Sequence, residues 1–234
     1  MSSGLMVALD MDDGEEAVRL AGEIGHDVAA LKIGSQLFTR YGPELVHRIK
    51  GAGGRVFLDL KYHDIPNTVA QAVRGAVTMG VSWFTVHASG GSQMIQAAKD
   101  AAGDAKVLAV TVLTSLGRDD MEQIGWGGEV RDQVVKLAGM ARESGADGIV
   151  CSAREVGLLR NFLDDGCVLV TPGIRPVGTS LDDQARVATP ANAVADGADY
   201  LVVGRPIVKA ADRIEAVKLI LEEMKQGDVL RERK

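Results

Sequence analysis

The sequence predicts an α/β fold, a single (β/α)8 TIM barrel, on three observations. Eight short apolar runs alternate with longer amphipathic segments, and polar side chains gather just after the C-terminal ends of those runs. The length of 234 residues comes close to the roughly 250 of a typical barrel. With 46% hydrophobic residues the chain can bury one sizeable core, so one catalytic domain over 1–234 is expected.

The elements follow in chain order. The run 5–9 is apolar throughout, as a strand covered on both faces requires, and 15–24 takes up helical spacing. Strand 29–33 precedes the amphipathic stretch 43–52, and 56–60 precedes 68–79. Strand 83–86, with Trp83 and Phe84 as core side chains, precedes 92–101. Strand 107–113 precedes 129–143, across a connection where Arg118, Asp119 and Asp120 mark a solvated helix start and Trp126 has no evident purpose. Strands 148–151, 167–171 and 200–203 precede helices at 154–162, 191–195 and 207–224. Cys151 and Cys167 lie in strand-like stretches without metal-ligand spacing, so reduced core thiols are expected. The charged tail 227–234 is expected to fray.

An open doubly wound sheet shares this alternation, so the position of the polar residues decides between the two architectures. Asp10, Lys32, Asp59, Lys61, His87, Thr114, Arg175 and the pair Gly204-Arg205 all fall at or just after strand C-termini. A parallel barrel gathers those ends on one face, where its active site is built. Strand parity agrees: Phe57, Asp59 and Lys61 share the inward face opposite Val56, Leu58 and Leu60, and Asp10 and Lys32 turn inward likewise.

A formal charge of −6 argues against a nucleic-acid partner, which needs a basic stripe, but leaves small anionic substrates open. No apolar run reaches the roughly 18 residues of a membrane span, and no signal-peptide pattern opens the chain. A cytoplasmic protein without membrane contact is expected.

Buried isolated charge is costly, so Asp10, Lys32, Asp59, Lys61 and Asp64 are expected to pair with one another. Such a cluster alone fits a structural ion-pair network. Convergence of several charged strand ends on the catalytic face favours chemistry. Carboxylates around Lys61 hold it as an ammonium ion, suited to stabilising an adjacent carbanion and then protonating it. A Schiff-base lysine must shed its proton, which this setting opposes.

The ten residues Asp59-Leu60-Lys61-Tyr62-His63-Asp64-Ile65-Pro66-Asn67-Thr68 resemble the DxKxHDIPNT signature of the orotidine 5′-phosphate decarboxylase family. Further likeness runs along the chain in family order, at Ala8-Leu9-Asp10, Leu31-Lys32-Ile33-Gly34, Val86-His87-Ala88, Leu113-Thr114-Ser115, Thr171-Pro172-Gly173-Ile174-Arg175, Arg186-Val187-Ala188-Thr189-Pro190 and Val203-Gly204-Arg205-Pro206-Ile207. The resemblance implies conversion of orotidine 5′-phosphate (OMP) to UMP and carbon dioxide in pyrimidine biosynthesis, with no metal and no organic cofactor. It assigns Lys32, Asp59, Lys61 and Asp64 to an alternating catalytic tetrad, in which Asp64 crosses a homodimer interface into the partner's site. Asp10 and Lys32 would hold ribose hydroxyls and Thr114 the pyrimidine, while Arg175, Gln184, Gly204 and Arg205 serve the phosphate end. Ile65 and Thr68 would complete the wall near Asp64.

Gly204-Arg205, between a strand and a helix, suits a phosphate site in the barrel context, although the pair taken alone is a weak signal and better fits a helix-start turn with a surface arginine. The polar stretch 173–190 is long for a simple connection and reads as a phosphate-gripping lid. His63 and His87 lack metal spacing and are expected to make structural hydrogen bonds. Two rival functions share the scaffold: a magnesium-dependent sugar-phosphate decarboxylase or aldolase, and a silent phosphate-ligand binding barrel. The continuation Ile65-Pro66-Asn67-Thr68 speaks against the first and the joint presence of Asp59, Lys61 and Asp64 against the second.

Overall fold

A computed structural model describes residues 4–176 and 188–232. Among them, eight parallel strands close into a barrel in chain order, the last pairing back onto the first. The strands are β1 (Gly4–Ala8), β2 (Ala30–Gly34), β3 (Val56–Tyr62), β4 (Trp83–His87), β5 (Lys106–Val110), β6 (Gly148–Val150), β7 (Val168–Thr171) and β8 (Tyr200–Val203). Strand alternation produces two apolar layers. Met6, Ala8, Ala30, Phe57, Trp83, Leu108, Val170 and Val202 fill the barrel interior, whereas Leu5, Val7, Leu31, Ile33, Val56 and Leu58 pack outward against the helices. Each large side chain so buried stabilises the fold by about 1.5–3 kcal/mol. The two cysteines are free and buried, as expected; burial pushes the Cys167 thiol up to about 11 and also raises that of Cys151.

The helices are α1 (Gly14–Ile24), α2 (Ser35–Gly51), α3 (Pro66–Thr78), α4 (Ser92–Ala101), α5 (Arg118–Gln123), α6 (Val130–Glu143), α7 (Val156–Phe162), α8 (Pro190–Ala195), α9 (Arg205–Val208) and α10 (Arg213–Arg231). Three differ from the sequence pattern. Helix α2 starts well before 43 but is kinked at Gly42, whose left-handed φ of 59° precedes Pro43, so the amphipathic stretch is its second segment. The expected helix 207–224 is two, because the Asp212 carboxylate caps a new start by accepting the Glu215 N–H at 2.9 Å. The tail does not fray from 227: α10 continues to Arg231, with Gly227 against α8 so closely that a Cβ there would lie 2.5 Å from the Ala191 carbonyl. Strand β5 ends at Val110 rather than 113, where the chain turns toward α5. The helix start at Arg118 is as expected, with the Asp120 carboxylate accepting the Gly117 N–H at 2.8 Å.

Two equivalent clamps close the N-terminal end of the barrel. Asp147, just before β6, accepts the Val107 N–H of β5 at 2.9 Å and pairs with Lys99 of α4 at 2.7 Å. Asp199, just before β8, accepts the Leu169 N–H of β7 at 2.8 Å and pairs with Arg160 of α7. Burial opposes ionisation of Asp147, but the Lys99 hydrogen bond, the Val107 N–H and the charges of Lys99 and Lys106 outweigh it and hold its carboxyl below the ordinary range. A depressed folded-state value contributes stability above the unfolded value that is lost as pH falls through the folded one. Asp147→Asn is therefore expected to cost about 2 kcal/mol at neutral pH, below the full value of a buried pair because Lys99 is partly exposed. Urea denaturation is expected to show that gap closing on acidification.

Candidate active site

The C-terminal ends of the strands surround a cavity of about 300 Å³. Its floor is apolar, formed by Ala8, Phe57, Val110, Val150 and Val202, and its rim carries Asp10, Lys32, Asp59, Lys61, Thr114, Arg175, Gly204 and Arg205. Eight of the residues that the sequence nominates are thus brought to one mouth. Arg175 is buried and donates to the Ile174 carbonyl at 3.0 Å, while Arg205 opens α9. Gly204 permits a close approach: a Cβ there would lie 3.3 Å from both the Ala8 side chain and an Asp10 carboxylate oxygen.

The charges alternate across three strands. Lys32 Nζ lies 3.2 Å from Asp10 and 3.5 Å from Asp59 Oδ2, and Lys61 Nζ lies 2.9 Å from Asp59 Oδ1. Asp59 Oδ1 also accepts the Thr85 hydroxyl at 2.9 Å. Burial alone would raise the Asp59 carboxyl, but the charges of Lys32 and Lys61 and the hydrogen bonds from Lys61 and Thr85 prevail and hold it below its ordinary value. At the same place β3 leaves its ladder with β4: pairing jumps from Leu58–Phe84 to Tyr62–Val86. Lys61 sits in that bulge with φ 53°, a left-handed conformation costing a side-chain-bearing residue about 1–3 kcal/mol. Its N–H, displaced from the ladder, donates to Thr85 Oγ1 at 2.9 Å.

Thr85 was not among the residues the sequence singled out. The available signal was parity, since Trp83, Thr85 and His87 alternate inward on β4; its position two residues before the strand end hid it.

Asp64, Ile65 and Thr68 do not line this cavity. They are exposed on the connection after β3 and the first turn of α3, Ile65 at 67%. Asp64 accepts the Ile65 N–H at 2.6 Å and has no ion pair among the described residues. Gln184 and most of the segment 173–190 lie outside the described residues. The two ends of that segment are joined, Ile174 bridging Ala188 and the Arg175 N–H donating to the Ala188 carbonyl at 3.0 Å. His63 and His87 meet by their rings, 5.4 Å between centroids, in place of the expected side-chain hydrogen bonds, none of which occurs among the described residues. Trp126 packs at the edge of the outer core. No cluster of three His, Cys, Asp or Glu side chains able to hold a metal occurs among the described residues, and no described helix is long and apolar enough to cross a membrane.

Fold and site together define a (β/α)8-barrel protein with a lysine–aspartate array over an apolar floor. Comparison with known proteins is more specific. The model of the Orotidine 5′-phosphate decarboxylase / HUMPS family matches residues 3–220. The chain is 49% identical over 224 residues to a protein of Halorhodospira halophila named orotidine 5′-phosphate decarboxylase, covering 94% of this chain and 95% of that one. It is 46% identical over 229 residues to the protein of that name from Pelobacter propionicus, covering 95% of each. The crystal structure of orotidine 5′-phosphate decarboxylase from Lactobacillus acidophilus superposes with a TM-score of 0.86 at 39% identity, over 95% of this chain and 99% of that one. The chain belongs to this family.

The charges of the site also reach His87. Burial, His63 and Lys61 push its imidazole below the ordinary range, with Asp59 opposing them. Proton NMR is expected to give a depressed His87 midpoint, lowered further in Asp59→Asn and raised in Lys61→Ala.

Proposed function

We propose that the chain decarboxylates orotidine 5′-phosphate to UMP, with Lys61 as the proton donor. The observation that carries the reading is the alternating Lys32–Asp59–Lys61 array at the mouth of an apolar-floored cavity. The decarboxylase name borne by relatives at 49% and 46% identity supports the substrate. Scission of the bond from C6 to the carboxylate leaves its electron pair on C6 as carbon dioxide departs. The Lys61 ammonium stabilises that charge and transfers a proton to C6, and water reprotonates the lysine. The apolar floor strengthens this interaction by limiting solvent screening.

In this reading Asp10 and Lys32 hold ribose hydroxyls, Thr114 the base, and Arg175, Gln184, Gly204 and Arg205 the phosphate. The chain 1–234 acts as one barrel, with 173–190 closing over the phosphate. Asp64, with Ile65 and Thr68, completes the site of a second copy in a homodimer. Their exposure on the connection after β3 and absence from their own cavity support that assignment.

The test is UMP formation from orotidine 5′-phosphate with chelator present. Wild-type turnover is expected to persist, and Lys61→Ala to retain UMP binding while losing on the order of 10⁴-fold in kcat; unimpaired turnover by that variant would falsify the assignment. Arg175→Ala and Arg205→Ala are expected to raise KM. Mixing inactive Lys61→Ala with inactive Asp64→Asn is expected to recover activity, because each mixed dimer then assembles one intact site; no recovery removes the shared-site reading.

A further inference from the structure

Thr85 has no solvent exposure and lies on β4 between the inward-facing Trp83 and His87. The interior layer beside it is apolar, with Phe57, Trp83 and Leu108, and a valine would fill the same shape. The hydroxyl instead serves two partners. An ionised carboxylate only accepts, so the Thr85 O–H donates to Asp59 Oδ1 at 2.9 Å, while its oxygen accepts the Lys61 N–H at 2.9 Å. Both contacts fall where β3 bulges out of the ladder and Lys61 takes its left-handed φ. One oxygen atom therefore fixes the carboxylate of one member of the array and the backbone of the next.

We infer that Thr85 is a positioning residue for the proposed decarboxylation: its hydroxyl holds Lys61 and Asp59 in the register that brings the ammonium to the reacting carbon. The inference rests on the reading of Lys61 as proton donor. Asp59 is faced by Lys32 from β2, by Lys61 on its own strand and by Thr85 from β4, with Asp10 beyond Lys32 and His87 on the β4 side. Removing the Thr85 donor withdraws an interaction that favours ionised Asp59, so its carboxyl moves up.

Thr85→Val removes the hydroxyl at nearly constant shape. The expected result is a fall in kcat on the order of a hundredfold with KM little changed, and an acid limb of the kcat–pH profile displaced to higher pH. Thr85→Ser, which keeps the oxygen, is expected to restore both. Wild-type kcat with an unshifted limb in Thr85→Val, or a serine variant as impaired as the valine one, overturns the inference. If valine disturbs folding, as judged by circular dichroism, Thr85→Ala and Thr85→Ser differ by a single oxygen and decide the matter: equal kcat and equal limbs overturn it, and recovery in serine alone supports it. Failure of the wild type to form UMP sinks the decarboxylase reading and this inference with it, whereas an active wild type with an indifferent Thr85→Val sinks the positioning role alone.

Discussion

The carboxylate of Asp59 ties three strands together at the barrel mouth. Lys32 reaches it from β2, Lys61 from its own strand and Thr85 from β4. An unpaired ionised carboxylate this deep would cost several kcal/mol. With two cations and a hydroxyl donor it stays charged, and the same contacts confine both lysines. Lys32 is shared with Asp10, so removal of any member costs its neighbours a partner. The array is one electrostatic unit, distributed over the adjacent strands β2, β3 and β4 and the turn after β1.

That unit sits in a locally irregular backbone. The bulge in β3 takes Lys61 out of regular pairing and into a left-handed conformation, which the ion pair with Asp59 and the bond to Thr85 hold in place. Strain of this kind persists where its surroundings over-determine it. The local irregularity and the charge array are thus aspects of one arrangement: the bulge aims Lys61, and the array keeps it aimed.

Much of this was legible in the sequence, because strand parity and the position of charges at strand ends are linear properties. All eight strands, the inward set Phe57, Asp59 and Lys61, and the rim residues from Asp10 to Arg205 follow from them. What escaped depends on contacts between distant segments. Thr85 matters through β3, 24 residues away from its partner Lys61, and nothing in the Trp-Phe-Thr-Val-His run announces that. The split of α9 from α10 depends on one capping carboxylate, and the order of the chain past Gly227 on packing against α8. The histidine pair escaped for a similar reason: spacing in sequence says nothing about ring against ring between the connection after β3 and the end of β4.

The twin clamps at Asp147 and Asp199 lie at the strand N-termini, opposite the mouth. They repeat one device two strands apart, each joining a helix, a strand backbone and the carboxylate before the next strand. Closure is thereby anchored away from the groups that meet a ligand. A substitution that disturbs the charge array at the mouth therefore leaves both clamps intact, so the end of the barrel that meets no ligand stays locked whatever happens at the other.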